Sequence, residues 1–209
     1  MLVALYLPIA SADSEFNYPR TLDHPWDHFP ITVYIDNKNI PPHYSHSYYT
    51  QIEKALSYWE EGGNGKLWYT PVFKIVDSEN ADIRITWVEN LEKNQSAPSG
   101  VAGYTTPHIE NGRFVHVEMV LGVGDYKGTD WIQYEDETVL FLATHEIGHA
   151  LGLEHSNDKE DIMYPDYKQK HDLSYFLTNK DGFLLLATYG TIAVIFFLVV
   201  SRLLDRGKK

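Results

Sequence analysis

From Pro30 onward apolar and polar residues alternate with a period of two, Ile31, Val33 and Ile35 against Thr32, Tyr34 and Asp36, which predicts a half-buried strand. Pro41-Pro42 breaks it. Ser47 to Glu61 then carries Ile52, Ala55, Leu56 and Trp59 at helical spacing and stops at Gly62-Gly63, so an amphipathic helix is expected there. Two more strands are predicted over 72–76 and 82–88. Asn94 to Gly100 reads as a polar loop with Pro98 and Gly100, and Val101-Ala102-Gly103-Tyr104-Thr105 is extended, either as a sheet edge or as an inner strand or hairpin arm. Phe114 to Leu121 interleaves Phe114, Val115, Val117, Met119 and Val120 with His116 and Glu118, a further strand. After a turn-like stretch from Gly122 to Asp130 the pattern becomes good helix former at Thr138, Val139, Leu140, Phe141, Leu142 and Ala143. Glu135, Asp136 and Glu137 stand just ahead of it, where negative charge favours the helix dipole.

The far end of the chain breaks this rhythm. Phe183 to Ser201 runs 19 residues without a charge, about 28 Å as helix, which matches the hydrocarbon thickness of a bilayer. Only Thr188, Tyr189, Thr191 and Ser201 could give it a polar face. A membrane span is therefore expected over 183–201, with a linker over 169–182 and a basic tail over 202–209. The positive-inside rule places that tail in the cytoplasm and the preceding domain, residues 13–168, outside the cell. At the other end, Leu2 to Ala10 is short and apolar, and Ala10-Ser11-Ala12 has the small-x-small form of a signal-peptidase site. No Lys or Arg precedes it, so residues 1–12 are an incomplete signal segment, and a disordered end is the competing reading.

Charge and cysteine count narrow the class. Arg202, Arg206, Lys208, Lys209 and Asp205 lie beyond the apolar run, leaving 13 of the 17 bases against 28 of the 29 acids, a net of −15. Such a surface repels nucleic acid and anionic lipid head groups. The chain has 0 Cys, so it can hold no disulfide, iron–sulfur cluster or thiol switch. Nothing in the sequence sets an oligomeric state.

The chemistry is concentrated in Thr144 to Ser156, T-H-E-I-G-H-A-L-G-L-E-H-S. His145 and His149 are four apart on a helix, so both imidazoles project from one face about 6 Å apart along the axis. That separation suits one metal ion. Zinc takes His nitrogen, and in a catalytic site it has three protein ligands and a water. Glu146 follows the first His, where a carboxylate can reach that water as general base. Gly152 can take a positive φ, turning the chain so that His155 returns as third ligand.

H-E-x-x-H-x-x-G-x-x-H followed by a methionine turn is the metzincin signature, and Asp161-Ile162-Met163-Tyr164-Pro165 stands where that turn belongs. H-E-I-G-H-A-L-G-L-E-H-S and I-M-Y-P resemble the matrixin branch, the matrix metalloproteinases. In astacins and serralysins a Tyr two residues after the Met approaches zinc; here that position is Pro165. The strand, helix, strand, strand order with Ala81-Asp82-Ile83-Arg84-Ile85 is also similar to the upper half of a matrixin catalytic domain. The resemblance covers about residues 26 to 168. It implies an α+β fold of the metzincin type, with a twisted, mostly parallel sheet, one antiparallel edge strand and two long helices. It implies that Met163 is an apolar floor beneath the metal and that Pro165 and Tyr167 wall the pocket receiving the residue after the scissile bond. The 101–105 strand would be the edge on which a peptide substrate lies.

Where the sequence departs from the family, the expectations change. Matrixins carry a propeptide cysteine that plugs the zinc; with no cysteine, and too short a stretch upstream for such a prodomain, that latency is not expected. Their structural zinc uses a His-x-Asp and two later histidines; His108 and His116 lie in the right region, but no His-x-Asp precedes them, so this zinc is not carried over. Gly122 to Asp130 could offer carboxylates and carbonyls to calcium, but it has no fixed-spacing motif and an ordinary turn is expected. His24 and His28 are expected to face solvent.

The resulting expectation is a membrane-anchored zinc endopeptidase acting on peptides or proteins outside the cell, with one catalytic zinc. Two other readings compete. An intramembrane zinc protease also uses H-E-x-x-H in an apolar helix, but Gly152, His155, the polar strands and the single long span argue against it. A non-catalytic surface module stabilised by zinc is opposed by Glu146, since a structural site would more readily close its fourth position with a protein ligand.

Overall fold

Ile31, Val33, Ile83, Ile85, Trp87, Val117, Met119 and Leu121, all buried, come from three adjacent parallel strands, and they form the centre of a mixed sheet. The structure is a computed structural model, and it describes residues 18–98 and 100–165. Strand β1 is Ile31–Ile35, helix α1 Ser47–Glu60, β2 Phe73–Ile75, β3 Ile83–Val88, and α2 Leu91–Gln95. They are followed by β4 Gly103–Glu110, β5 Arg113–Gly122, β6 Gly124–Lys127, β7 Asp130–Gln133 and α3 Asp136–Ala150. The sheet order is β2-β1-β3-β5-β4. Its pairs are parallel except β4 with β5, so β4 is both a hairpin arm and the antiparallel edge. The expected sheet and two longer helices are present, so the described part is α+β.

Several local expectations need correction. Tyr34 and Asp36, read as the solvent side of β1, are buried at 2% and 3% exposure. An interior strand can hide both faces, and Asp36 is satisfied there by the backbone N–H groups of Lys38 and Asn39 at 2.9 and 3.0 Å and by the Asn39 side chain. Burial pushes its carboxyl pKa up, but these donors outweigh it and leave it below the ordinary value. The loop expected after residue 94 begins inside α2, whose first turn is capped by the Asn90 side chain accepting from Lys93 N–H at 3.0 Å. The turn expected over 122–130 is part of the β6–β7 hairpin. His24 and His28 do face solvent as expected; His28 bridges Asp27 and Asp82 at 2.9 and 3.1 Å, and His24 meets the Trp68 ring edge-on at 4.3 Å.

The two long helices pack on each other. The apolar stripe of α1, Tyr48, Ile52, Ala55, Leu56 and Trp59, is buried, and the Trp59 indole N–H donates to the Thr144 carbonyl of α3 at 2.9 Å. The start of α3 is tied to α1 as well. Asp136 accepts from the Ser47 hydroxyl at 2.6 Å and from the Gln51 amide at 3.0 Å. Helix α3 begins two residues earlier than the apolar pattern suggests, because Asp136 and Glu137 occupy its first turn, where acids suit the dipole.

The chain divides into two units, 1–163 and 164–209. Only Tyr164 and Pro165 of the second are described. The signal segment 1–12, Tyr167, the linker 169–182, the apolar run 183–201 and the tail 202–209 lie outside the described residues. No helix among the described residues is long and apolar enough to cross a membrane.

Candidate metal centre

Helix α3 carries His145 and His149 one turn apart, and it ends where Gly152 adopts φ +86°. A side chain there would also collide with the Leu22 carbonyl, 2.9 Å from the position of a Cβ. The turn brings His155 back. His149 Nε2 lies 3.2 Å from His145 Nε2 and 3.2 Å from His155 Nε2, and the three donor atoms fall within 4.8 Å of one another. Tetrahedral zinc with Zn–N of about 2.0–2.1 Å sets its ligand nitrogens about 3.3 Å apart. The spacing fits.

The protons settle what these contacts are. His145 Nδ1 faces the Ile162 carbonyl at 2.8 Å and His149 Nδ1 faces the Leu153 carbonyl at 2.8 Å. A carbonyl only accepts, so each Nδ1 carries the hydrogen and each neutral ring presents a bare Nε2 lone pair. Lone pairs converging at 3.2 Å repel unless a cation sits among them. Burial lowers the pKa of His149 and His155, keeping both rings in the neutral form a metal requires. Among the described residues these three form the one such grouping.

Glu146 is 5% exposed and sits between α3 and the edge strand β4. The Thr105 hydroxyl of β4 lies 2.7 Å from Glu146 Oε2 and 3.1 Å from the Glu146 backbone carbonyl. Burial pushes the Glu146 pKa up to about 7, and the Thr105 hydrogen bond partly offsets this. Gly103 is expected to let a substrate strand approach, but the space its missing side chain leaves is filled from inside. A Cβ there would lie 3.2 Å from Glu146 Cγ and 3.2 Å from Oε1. The glycine lets β4 close over Glu146.

Met163 is fully buried, and Gly148 makes that packing possible. A Cβ on Gly148 would collide with the Met163 sulfur and lie 2.9 Å from the Trp59 ring. The Met163 carbonyl also accepts from Ser156 N–H at 2.9 Å, tying the turn to the residue after His155. Pro165 is exposed and belongs to the second unit. His108 and His116 face each other across β4 and β5 with ring centroids 5.8 Å apart. His116 is engaged by the Ala81 carbonyl at 3.0 Å and by Glu118 at 2.8 Å. Sequence reading missed Thr105 and Gly148 as parts of the site, and it placed Gly103 on the substrate side rather than against Glu146. Gly148 alone carried a local hint, as a glycine inside a helix between two ligands.

A helix bearing two imidazoles, a third returned by a glycine turn and a buried methionine packed against Gly148 between the two helical ligands define a zincin-type metal domain. Its family follows from comparison: the Matrixin family profile matches residues 25–190, and the chain belongs to the matrixins, zinc metalloendopeptidases that use a catalytic zinc. It is 35% identical over 144 residues to Stromelysin-1 of Mus musculus, a stretch covering 67% of this chain and 28% of that protein. It is 33% identical over 136 residues to Matrix metalloproteinase-26 of Homo sapiens, covering 62% and 46%. With Interstitial collagenase of Bos taurus the identity is 29% over 169 residues, covering 79% and 33%. The chain thus spans less than half the length of each of these relatives.

Proposed function

We propose that this protein is a zinc-dependent endopeptidase held at the cell membrane by residues 183–201, with its metal centre outside the cell and its substrates peptides or proteins. The observation that carries the catalytic part is the convergence of the His145, His149 and His155 nitrogens, two of them with bare lone pairs, on the helix that also carries the buried Glu146 carboxylate, beside the edge strand of the sheet. His145, His149 and His155 would hold the ion. Zinc bound there supplies Lewis acidity, polarising a carbonyl and acidifying water.

The protein's own groups do the rest. Three neutral ligands add no negative charge, so the ion's charge is left undiminished for that purpose. Glu146 takes the proton of the attacking water and passes it to the departing amine. The Thr105 hydroxyl holds one carboxylate oxygen, and Gly103 keeps β4 close enough to shield the carboxylate from bulk water. The outer side of β4 offers backbone groups to an extended peptide, the strand-addition mode of recognition. Pro165 and Tyr167 are assigned, by resemblance, to the pocket wall after the scissile bond.

The test is cleavage of an unfolded protein by the full chain in detergent, with and without chelator, beside Glu146→Ala. Chelator-sensitive cleavage is expected, and Glu146→Ala should bind one zinc yet lose about 10²–10⁴-fold in rate. Near-normal turnover by the variant overturns the base assignment. A zinc-loaded but inert wild type would instead favour a non-catalytic module. The anchor is tested separately: the protein should stay with membranes through alkaline extraction, and its release would remove that part of the reading.

A further inference from the structure

The two carbonyls that orient His145 and His149 belong to peptide units whose N–H groups are also held. The Ile162 carbonyl receives His145 Nδ1–H, and the N–H of the same planar peptide unit, that of Met163, donates to Asp161 Oδ1 at 2.8 Å. The Leu153 carbonyl receives His149 Nδ1–H. The N–H of that unit, on Glu154, donates to the Pro19 carbonyl at 2.9 Å.

Both anchors lead to one segment. Residues 18–21 run antiparallel to 152–154, with a bridge between Arg20 and Leu153 and the Thr21 N–H donating to the Gly152 carbonyl at 2.7 Å. The Tyr18 hydroxyl at the start of this segment donates to Asp161 Oδ1 at 2.7 Å. Asp161 Oδ2 lies 3.3 Å from Lys66 Nζ, with both side chains only 12% exposed. A peptide unit bonded at both its N–H and its C=O cannot rotate about its flanking bonds without breaking one of them. A carboxylate on the N–H also polarises the unit and makes its carbonyl the stronger acceptor.

We propose that the strap formed by residues 18–21, latched through Asp161, is a positioning device for the metal ligands, and that Asp161 is its principal positioning residue. The strap fixes the two peptide planes, and these fix which way the His145 and His149 rings face. Ligand-orienting partners of this kind are worth roughly 10–100-fold in metal affinity. The proposal rests on the three-imidazole zinc centre, so the wild type must bind zinc for it to stand.

The experiment measures zinc affinity of the full chain by competition with a chromophoric chelator, alongside thermal unfolding of the zinc-free protein. Asp161→Ala should lose about 10–100-fold in zinc affinity at a temperature where the zinc-free variant is still folded. Asp161→Asn, which keeps an acceptor for Met163 N–H, should recover most of that loss. Lys66→Met, which removes the ion pair and the ammonium 5.7 Å from the Tyr18 ring centroid but leaves the Asp161–Met163 hydrogen bond, should lose less zinc affinity than Asp161→Ala. If zinc affinity merely follows unfolding temperature across the three, or Asp161→Ala binds zinc like wild type, the latch is refuted while the metal centre stands. If the wild type binds no zinc, both fall. Should Asp161→Ala not fold, Tyr18→Phe decides: it should weaken zinc binding severalfold, and an unchanged affinity overturns the proposal.

Discussion

Helices α1 and α3 lie against each other, are nearly equal in length at 14 and 15 residues, and bury very different side chains. The buried stripe of α1 is apolar apart from Gln51, which bonds Asp136 of α3. In α3 the buried set includes Thr144, His145 and Glu146. One helix is optimised for packing, whereas the other holds ionisable groups out of water at a cost in stability, the arrangement that the proposed metal site and general base would use. The Trp59 indole crosses between them. Scaffold and site thus share a hydrogen bond at Thr144, the residue before the first ligand.

The contrast can be tested from each side. The largest effect belongs to the scaffold: Trp59→Ala removes a fully buried ring and should cost about 3–5 kcal/mol, read as a lower urea midpoint for the zinc-free protein. A loss under about 1 kcal/mol would mean that α1 is not the packing partner described.

The smaller effect has the opposite sign and belongs to the site. Burial raises the Glu146 pKa from 4.5 to about 7, so between those values the folded zinc-free protein binds more protons than the unfolded chain. Its stability therefore falls as pH rises through that window. Glu146→Gln cannot ionise and escapes the penalty. At pH 8 it should be more stable than wild type by about 3 kcal/mol, a gain that shrinks towards zero near pH 4.5. An equal difference at both pH values would refute the buried-carboxylate account.

How much of this was legible in the sequence depended on the range of the forces involved. Helix α1, β1, β3 and β5 were readable because each buries a periodic set of its own residues. The ligand helix and Gly152 were readable because their chemistry needs fixed local spacing. Helix α2 was lost because five residues give no period, and its capping Asn90 looks like any polar loop residue. The β6–β7 hairpin was lost because four-residue strands barely alternate. Tyr34 and Asp36 were placed outside because a local period of two cannot show that both faces of an interior strand are buried. Thr105, Asp161 and residues 18–21 escaped for a related reason: each acts through a partner far away in sequence, such as the 41 residues from Thr105 to Glu146 or the 143 from Tyr18 to Asp161.

The central claim, three imidazoles on one ion with a corner left for water, is tested most directly by X-ray absorption at the zinc edge of the full chain. The account predicts one zinc with four light ligands at about 2.0–2.1 Å, three of them showing imidazole scattering. Two or fewer imidazoles, or a shell unchanged by His155→Ala, would contradict it.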